Sequence, residues 1–134
     1  MDLITADLQR DEGLRLKPYR CSAGKTTIGY GRNLDDVGIT EREAEILLET
    51  DIRRSLADLD RALPWWRGLS GPQGRGLVNM RFNLGLTRLL GFKKMLAALQ
   101  AGNGYWAADE ALNSKWAHQV GARARRIAAL YRGE

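Results

Sequence analysis

Hydrophobic positions recur along this chain at intervals of four, then of two, and then at helical spacing to the end. Ile4, Leu8 and Glu12 share one face of a helix for which Asp2 is the expected cap and Gly13 the left-handed stop, so an acid closes the apolar stripe. Leu14, Leu16 and Pro18 then alternate with Arg15, Lys17 and Tyr19, and Ser22-Ala23-Gly24-Lys25 has turn composition. Thr26-Thr27-Ile28-Gly29-Tyr30, β-branched and aromatic, completes a β-hairpin. Arg32 to Ile39 reads as a short third strand or loop at the edge of this small β-lobe.

From Thr40 onward the period is helical. Thr40-Glu41-Arg42-Glu43 is a capping box, and Ala44, Leu47, Leu48, Ile52, Leu56, Leu59 and Leu63 continue a long amphipathic helix to Pro64. Trp65-Trp66 serves either as a sugar-stacking platform or as core filling at a helix junction, core filling being the simpler reading. Ser70 caps a core helix with Pro72 in its first turn and Leu77, Val78, Met80, Phe82 and Leu84 along it. Short packing helices follow over Leu86–Leu90, from Phe92 toward Gly102 and over Tyr105–Leu112, with Trp116 at a corner. The last segment, Gly121 to Arg132, is a basic amphipathic helix. The pattern predicts an α+β fold, mostly helical, with no fixed-period repeat.

With 134 residues, 44% of them hydrophobic, the chain can build one compact domain or two small lobes sharing a core. No apolar run approaches the roughly 20 residues that span a bilayer, and the N-terminus lacks signal-peptide character, so a cytosolic product is expected. The net charge of +5 conceals an asymmetry: residues 1–60 carry 9 basic and 13 acidic groups, residues 61–134 carry 12 basic and 3 acidic. A cationic C-terminal half attracts a polyanion, whether cell wall, anionic lipid or nucleic acid; equally it is a solvated face that keeps the protein soluble.

The chemistry-bearing residues gather in the first thirty positions. Glu12 falls in the last turn of its helix, where the negative end of the dipole and partial burial would both raise a carboxyl pKa toward what a general acid needs. The alternative is a solvated helix-end glutamate. Cys21 and Thr27 fall at the inner ends of facing strands, so that a thiol and a hydroxyl address one point. A single cysteine excludes an internal disulfide and leaves Cys21 free to react, and a single histidine, His118, leaves little material for a metal site or a His-dependent triad.

Eight residues separate Glu12 from Cys21 and five separate Cys21 from Thr27, between Glu-Gly-Leu-Arg-Leu and Thr-Ile-Gly-Tyr-Gly. This resembles the catalytic Glu-Asp/Cys-Thr signature of phage-type lysozymes, glycoside hydrolase family 24. Asn79 to Gly85, Gly91-Phe92 and Ser114-Lys115-Trp116 through Arg126 resemble later segments of the family in the same order, so the likeness covers nearly the whole chain. It implies a single lysozyme-like domain: a β-lobe over about 13–40, a linking helix over about 41–63, a helical lobe from 1–12 and 64–134, and a cleft between the lobes.

The resemblance further implies hydrolysis of the β-1,4 bond between N-acetylmuramic acid and N-acetylglucosamine in peptidoglycan, without cofactor or metal. Glu12 would be the acid, and Cys21, where the family usually has Asp, would act with Thr27 on the opposite face of the sugar. Tyr30, Arg32, Asn79 and Arg123 would bind substrate or support the site. Arg123 matches a family arginine that pairs with the glutamate, and Arg32 stands where the family often has His. As an endolysin the chain would be a monomer that accumulates in the host cytoplasm, crosses to the wall through a holin-type pore and lyses the cell. Its basic C-terminal helix would touch anionic envelope, and nucleic acid would not be a partner. Two other classes stay open: a lytic transglycosylase, for which one acid suffices, and a non-enzymatic basic helical binding module.

Overall fold

In the computed structural model, which describes residues 2–134, the fold is α+β: nine α-helices and one three-stranded sheet among the described residues. The chain divides into two compact units, Met1–Leu47 and Leu48–Glu134.

The first unit opens with helix α1, Asp2–Glu12. Asp2 is its first described helical residue, not the residue before the helix, and Gly13 (φ +70°) ends it by donating to Gln9 O at 3.1 Å. Strands β1 (Arg15–Arg20), β2 (Thr26–Gly29) and β3 (Arg32–Asn33) form an antiparallel sheet in that order. Pro18 lies in β1, an edge strand, and the pairing with β2 is irregular between Arg15 and Tyr19. The segment read as a third strand or loop is β3 followed by α2 (Leu34–Val37), a single helical turn; Asn33 Oδ1 caps it by accepting from Asp36 N. Thr26 N donates to Asp35 Oδ2, and Lys25 pairs with Asp36, so α2 closes over the hairpin through polar contacts.

Helix α3, Glu41–Ala62, begins at the capping box read from the sequence: Thr40 N donates to Glu43 Oε1 at 2.8 Å and Glu43 N to Thr40 Oγ1 at 3.1 Å. The boundary between the two units falls within α3.

The second unit is built on a continuous apolar core. After a 3-10 turn at Trp66–Gly68 come α4 (Gly71–Leu84), α5 (Leu86–Leu90), α6 (Lys93–Gln100), α7 (Gly104–Leu112), α8 (Lys115–Val120) and α9 (Ala122–Tyr131). Ser70 caps α4 by accepting from Gln73 N, with Pro72 in the first turn. Trp116, read as a corner residue, lies inside α8, where Ser114 supplies the cap that makes a helix of so short a segment. Alanines at 107, 108 and 111 on α7 and at 124 and 128 on α9 are buried, and their small side chains let these two helices pack closely. Trp66 fills core rather than presenting a platform, donating its indole N–H to Asp60 Oδ1 at 2.7 Å.

Tyr131 is the anchor of the core. Fully buried, it donates its hydroxyl to Met80 Sδ at 3.3 Å, and burial holds its phenol protonated far above the ordinary range. Its carbonyl accepts from Gln73 Nε2 and lies against Gly104, where no Cβ would fit. Between α3 and α4, the Arg81 and Arg61 guanidinium groups converge on Asp58 and hold its carboxyl below the usual range.

Two glycines of α4 should respond to alanine with opposite signs. At Gly74 a Cβ would meet Trp66 no closer than 3.6 Å, so Gly74→Ala should stabilise by about 0.5–1 kcal/mol through helix propensity alone. At Gly76 it would sit 2.7 Å from Tyr131 Cε1; overpacking of about 1–3 kcal/mol should outweigh the propensity gain and destabilise. Urea unfolding of the two variants checks the pair.

Candidate functional site

The hairpin that joins β1 to β2 determines where the candidate thiol lies. Cys21 N donates to Lys25 O at 2.9 Å and Gly24 N to Cys21 O at 2.8 Å, with Gly24 left-handed at φ +78°. This is a three-residue loop closed by a left-handed glycine, a geometry that continues the strand twist. It holds Cys21, half-buried, one residue past the Arg20–Thr26 pair. Thr27, facing Tyr19 across the sheet, is the one buried residue among the described residues of the first unit and donates its hydroxyl to Lys25 O at 2.9 Å.

Cys21 and Thr27 therefore share a neighbourhood of donors. The Lys25 and Ala23 backbone N–H groups, and to a smaller degree the Thr27 hydroxyl, hold the thiol pKa below its ordinary value by bonding to the thiolate. The Thr27 hydroxyl has one proton, donated here to Lys25 O, so a bond to the thiolate requires that hydroxyl to turn.

Glu12 is exposed at the C-terminal end of α1, not partly buried as the sequence pattern suggested. Its carboxylate lies against Gly31, whose absent Cβ would fall 2.7 Å from Glu12 Oε2. Gly31 is also left-handed, φ +82°, so both the turn and the close approach of the carboxylate call for glycine. The neighbouring Tyr30 is half-exposed, and its hydroxyl accepts from Gln9 Nε2 of α1 at 3.4 Å.

Arg32 is held in a fork. Its two terminal nitrogens donate to both Glu43 oxygens at 2.9 and 2.6 Å, and one also reaches Gly38 O. The Arg32 guanidinium and the Thr40 N–H together lower the Glu43 carboxyl from 4.5 to about 2. Glu43 was legible as a capping residue but not as the partner of Arg32; the capping box was the available signal, because it fixes a carboxylate near the end of β3. Tyr30, Arg32 and Glu43 line a mainly apolar cavity of about 1070 Å³ within the first unit, together with Val37, Ile39 and Ile46.

In the second unit Arg123 Nε donates to Asn79 Oδ1 at 2.9 Å, linking α9 to α4. The two residues read as supporting from separate segments are thus brought side by side. Among the described residues no group of three or more His, Cys, Asp or Glu side chains is arranged to hold a metal ion.

Comparison with known proteins places this arrangement. A family model described as phage lysozyme matches residues 9–132. The chain belongs to the phage lysozyme family. It is 30% identical to the pre-baseplate central spike protein Gp5 of Enterobacteria phage T4 over 92% of the chain and 26% of that protein. It is 39% identical to an endolysin of Acyrthosiphon pisum secondary endosymbiont phage 1 over 60% of the chain and 56% of the endolysin. A protein named probable T4-type lysozyme 1, from Dictyostelium discoideum, is 27% identical over 92% of the chain and 89% of its own length. The chain thus spans about a quarter of the spike protein and little more than half of the endolysin. The family match takes in both the Glu12–Cys21–Thr27 stretch and the Asn79–Arg123 pair.

The Glu43 fork should appear as a pH-dependent contribution to stability. Because folding lowers this pKa, the contribution is complete above the unfolded value near 4.5 and is lost as pH falls toward about 2. Glu43→Gln should therefore melt below wild type at pH 6, with the gap closing by pH 2; circular dichroism melts across that range test it.

Proposed function

We propose that this chain is a muramidase of the endolysin kind, cleaving the β-1,4 bond between N-acetylmuramic acid and N-acetylglucosamine in peptidoglycan. The observation that carries the reading is the hairpin that sets Cys21 beside Thr27 at the spacing from Glu12 found in phage lysozymes.

In the proposed reaction Glu12 gives its proton to the glycosidic oxygen as the C–O bond breaks, and a water attacks the anomeric carbon from the opposite face. Cys21, with its lowered pKa, accepts a hydrogen bond and then the proton of that water, and Thr27 fixes the direction of approach. Solvent then takes the proton from Cys21 and returns one to Glu12. Water delivered from the face opposite the acid inverts the anomeric centre, whereas attack by the Cys21 thiolate itself would form a thioglycosyl intermediate and retain it. NMR of freshly formed product separates the two courses, and an anhydro-sugar product would mark a transglycosylase instead.

The reading gives Arg123, steadied by Asn79, a supporting role, and gives Tyr30 a place against the glycan. Arg32 then acts through Glu43 by holding β3, the strand that follows the Gly31 turn beside Glu12. Among the described residues no helix is long and apolar enough to cross a membrane. On this proposal the enzyme acts as a monomer, gathers in the host cytoplasm and reaches the wall through a pore made by another protein.

Clearing of purified peptidoglycan tests these assignments. Glu12→Gln should lose about 10²- to 10⁴-fold in rate with an unchanged melt. Cys21→Asp should stay active while Cys21→Ser fails, since only the former keeps an anionic acceptor; equal clearing by all three would remove Glu12 and Cys21 from the mechanism.

Gly31→Ala probes how the acid is seated. Its methyl group displaces the Glu12 carboxylate, a flexible end that turns aside, so the rate should fall more than tenfold. The left-handed backbone should cost only about 1–2 kcal/mol of stability. Clearing rate and thermal melt of the same preparation read the two effects.

A further inference from the structure

The second unit contains a cavity that the proposed reaction does not use. It lies where α5 and the start of α6 meet the α7–α8 corner, measures about 570 Å³, and is lined by Arg88, Lys93, Lys94 and Lys115 over a floor that includes Trp116. All four cations are exposed, and none enters an ion pair among the described residues. The one acid on the wall, Glu110, is engaged through Oε1 by the Trp106 indole N–H at 3.1 Å. The floor is rigid: Trp116 is buried, donates to Asn83 Oδ1 at 2.8 Å and packs edge-on against Phe92, ring centres 6.1 Å apart.

Two of these cations are placed against local preference. Lys93 and Lys94 occupy the first turn of α6, where the helix dipole disfavours positive charge; no acid lies in that turn and Phe92 provides no side-chain cap. A sequence shaped only for stability would place Asp or Glu there, so the lysines indicate a use other than folding. Elsewhere in the unit several arginines are occupied, Arg81 and Arg61 by Asp58 and Arg67 by Asp60.

We propose that this cavity binds a phosphate group. Three point-charge lysines and one arginine, arriving from three helices, suit a ligand with several oxygens directed apart better than they suit a planar carboxylate, which an arginine fork alone would satisfy. The volume falls within the range of small-ligand sites. Such a group could belong to an anionic lipid headgroup or to a soluble phosphate, and the half-exposed Trp106 beside Glu110 suits an interfacial position. The site does not depend on catalysis, and its contact with an anionic envelope would lie at this cavity instead of the exposed arginines of α9.

The test compares two double variants of equal charge change in the full chain: Lys93→Glu with Lys94→Glu at the cavity, and Arg125→Glu with Arg126→Glu on α9. Binding of inorganic phosphate is measured by calorimetry, and binding to vesicles of phosphatidylglycerol with phosphatidylcholine, against phosphatidylcholine alone, by sedimentation. The expected result is a loss of at least tenfold in the cavity variant, with the α9 variant within about twofold of wild type. Loss confined to the vesicles identifies a lipid headgroup, and loss confined to inorganic phosphate a soluble ligand. The cavity variant should melt at or above wild type, because acids favour a helix start, so its loss of binding cannot come from misfolding. No binding by wild type in either arm, or equal losses in both variants, overturns the proposal.

Discussion

One carboxylate carries much of the order in the first unit. Glu43 accepts from the Thr40 N–H that starts α3 and from both terminal nitrogens of Arg32 at the end of the sheet. Of the described residues up to Leu47 only Thr27 is buried, so apolar burial contributes little to holding this part of the chain in shape. Its shape rests on polar contacts instead: the Arg32 fork, Asp35 on the Thr26 amide and Asn33 at the start of α2. The second unit is the opposite case, with Leu59, Leu77, Met80, Leu89 and Tyr131 fully enclosed. Stability of the two parts therefore responds to different variables, ionic strength and acidity in the first and packing volume in the second.

This division bears on the candidate site. Cys21 and Thr27 are positioned by main-chain hydrogen bonds of a hairpin loop, which tolerate side-chain change, and Glu12 by the absence of a side chain at Gly31. A side chain seated by backbone geometry needs few committed neighbours, which is how so small a sheet can set a thiol beside a hydroxyl. The lowered thiol pKa has the same origin: amide dipoles, not a neighbouring cation, are the leading cause.

Much of this was legible in sequence because it is local. The Thr40–Glu43 box, Ser70 with Pro72 and the turn at Ser22–Lys25 each announce a backbone hydrogen bond made within a few residues, and each is present. What escaped depends on distance or on competition. The α2 turn was hidden because Leu34–Val37 is too short for a period to show, and its Asn33 cap resembles loop composition. Trp116 read as a corner because Ser114 was not recognised as a cap. The exposure of Glu12 could not be inferred from an apolar stripe, since Ile4 and Leu8 on that stripe are themselves exposed. The pairing of Arg32 with Glu43 joins two elements, so the capping box marked the carboxylate without naming its partner.

The place of Tyr131 in the core has a consequence for how the protein is made. The side chain that fills the space beside Gly76, and the carbonyl that holds Gln73, belong to the last helix. Until that helix has left the ribosome, α4 has an open face where the ring will go, and α7 lacks the partner for its alanines. The core of the second unit is therefore complete only once α9 has been made. A nascent chain interrupted before that helix presents the apolar surfaces that chaperones and proteases recognise.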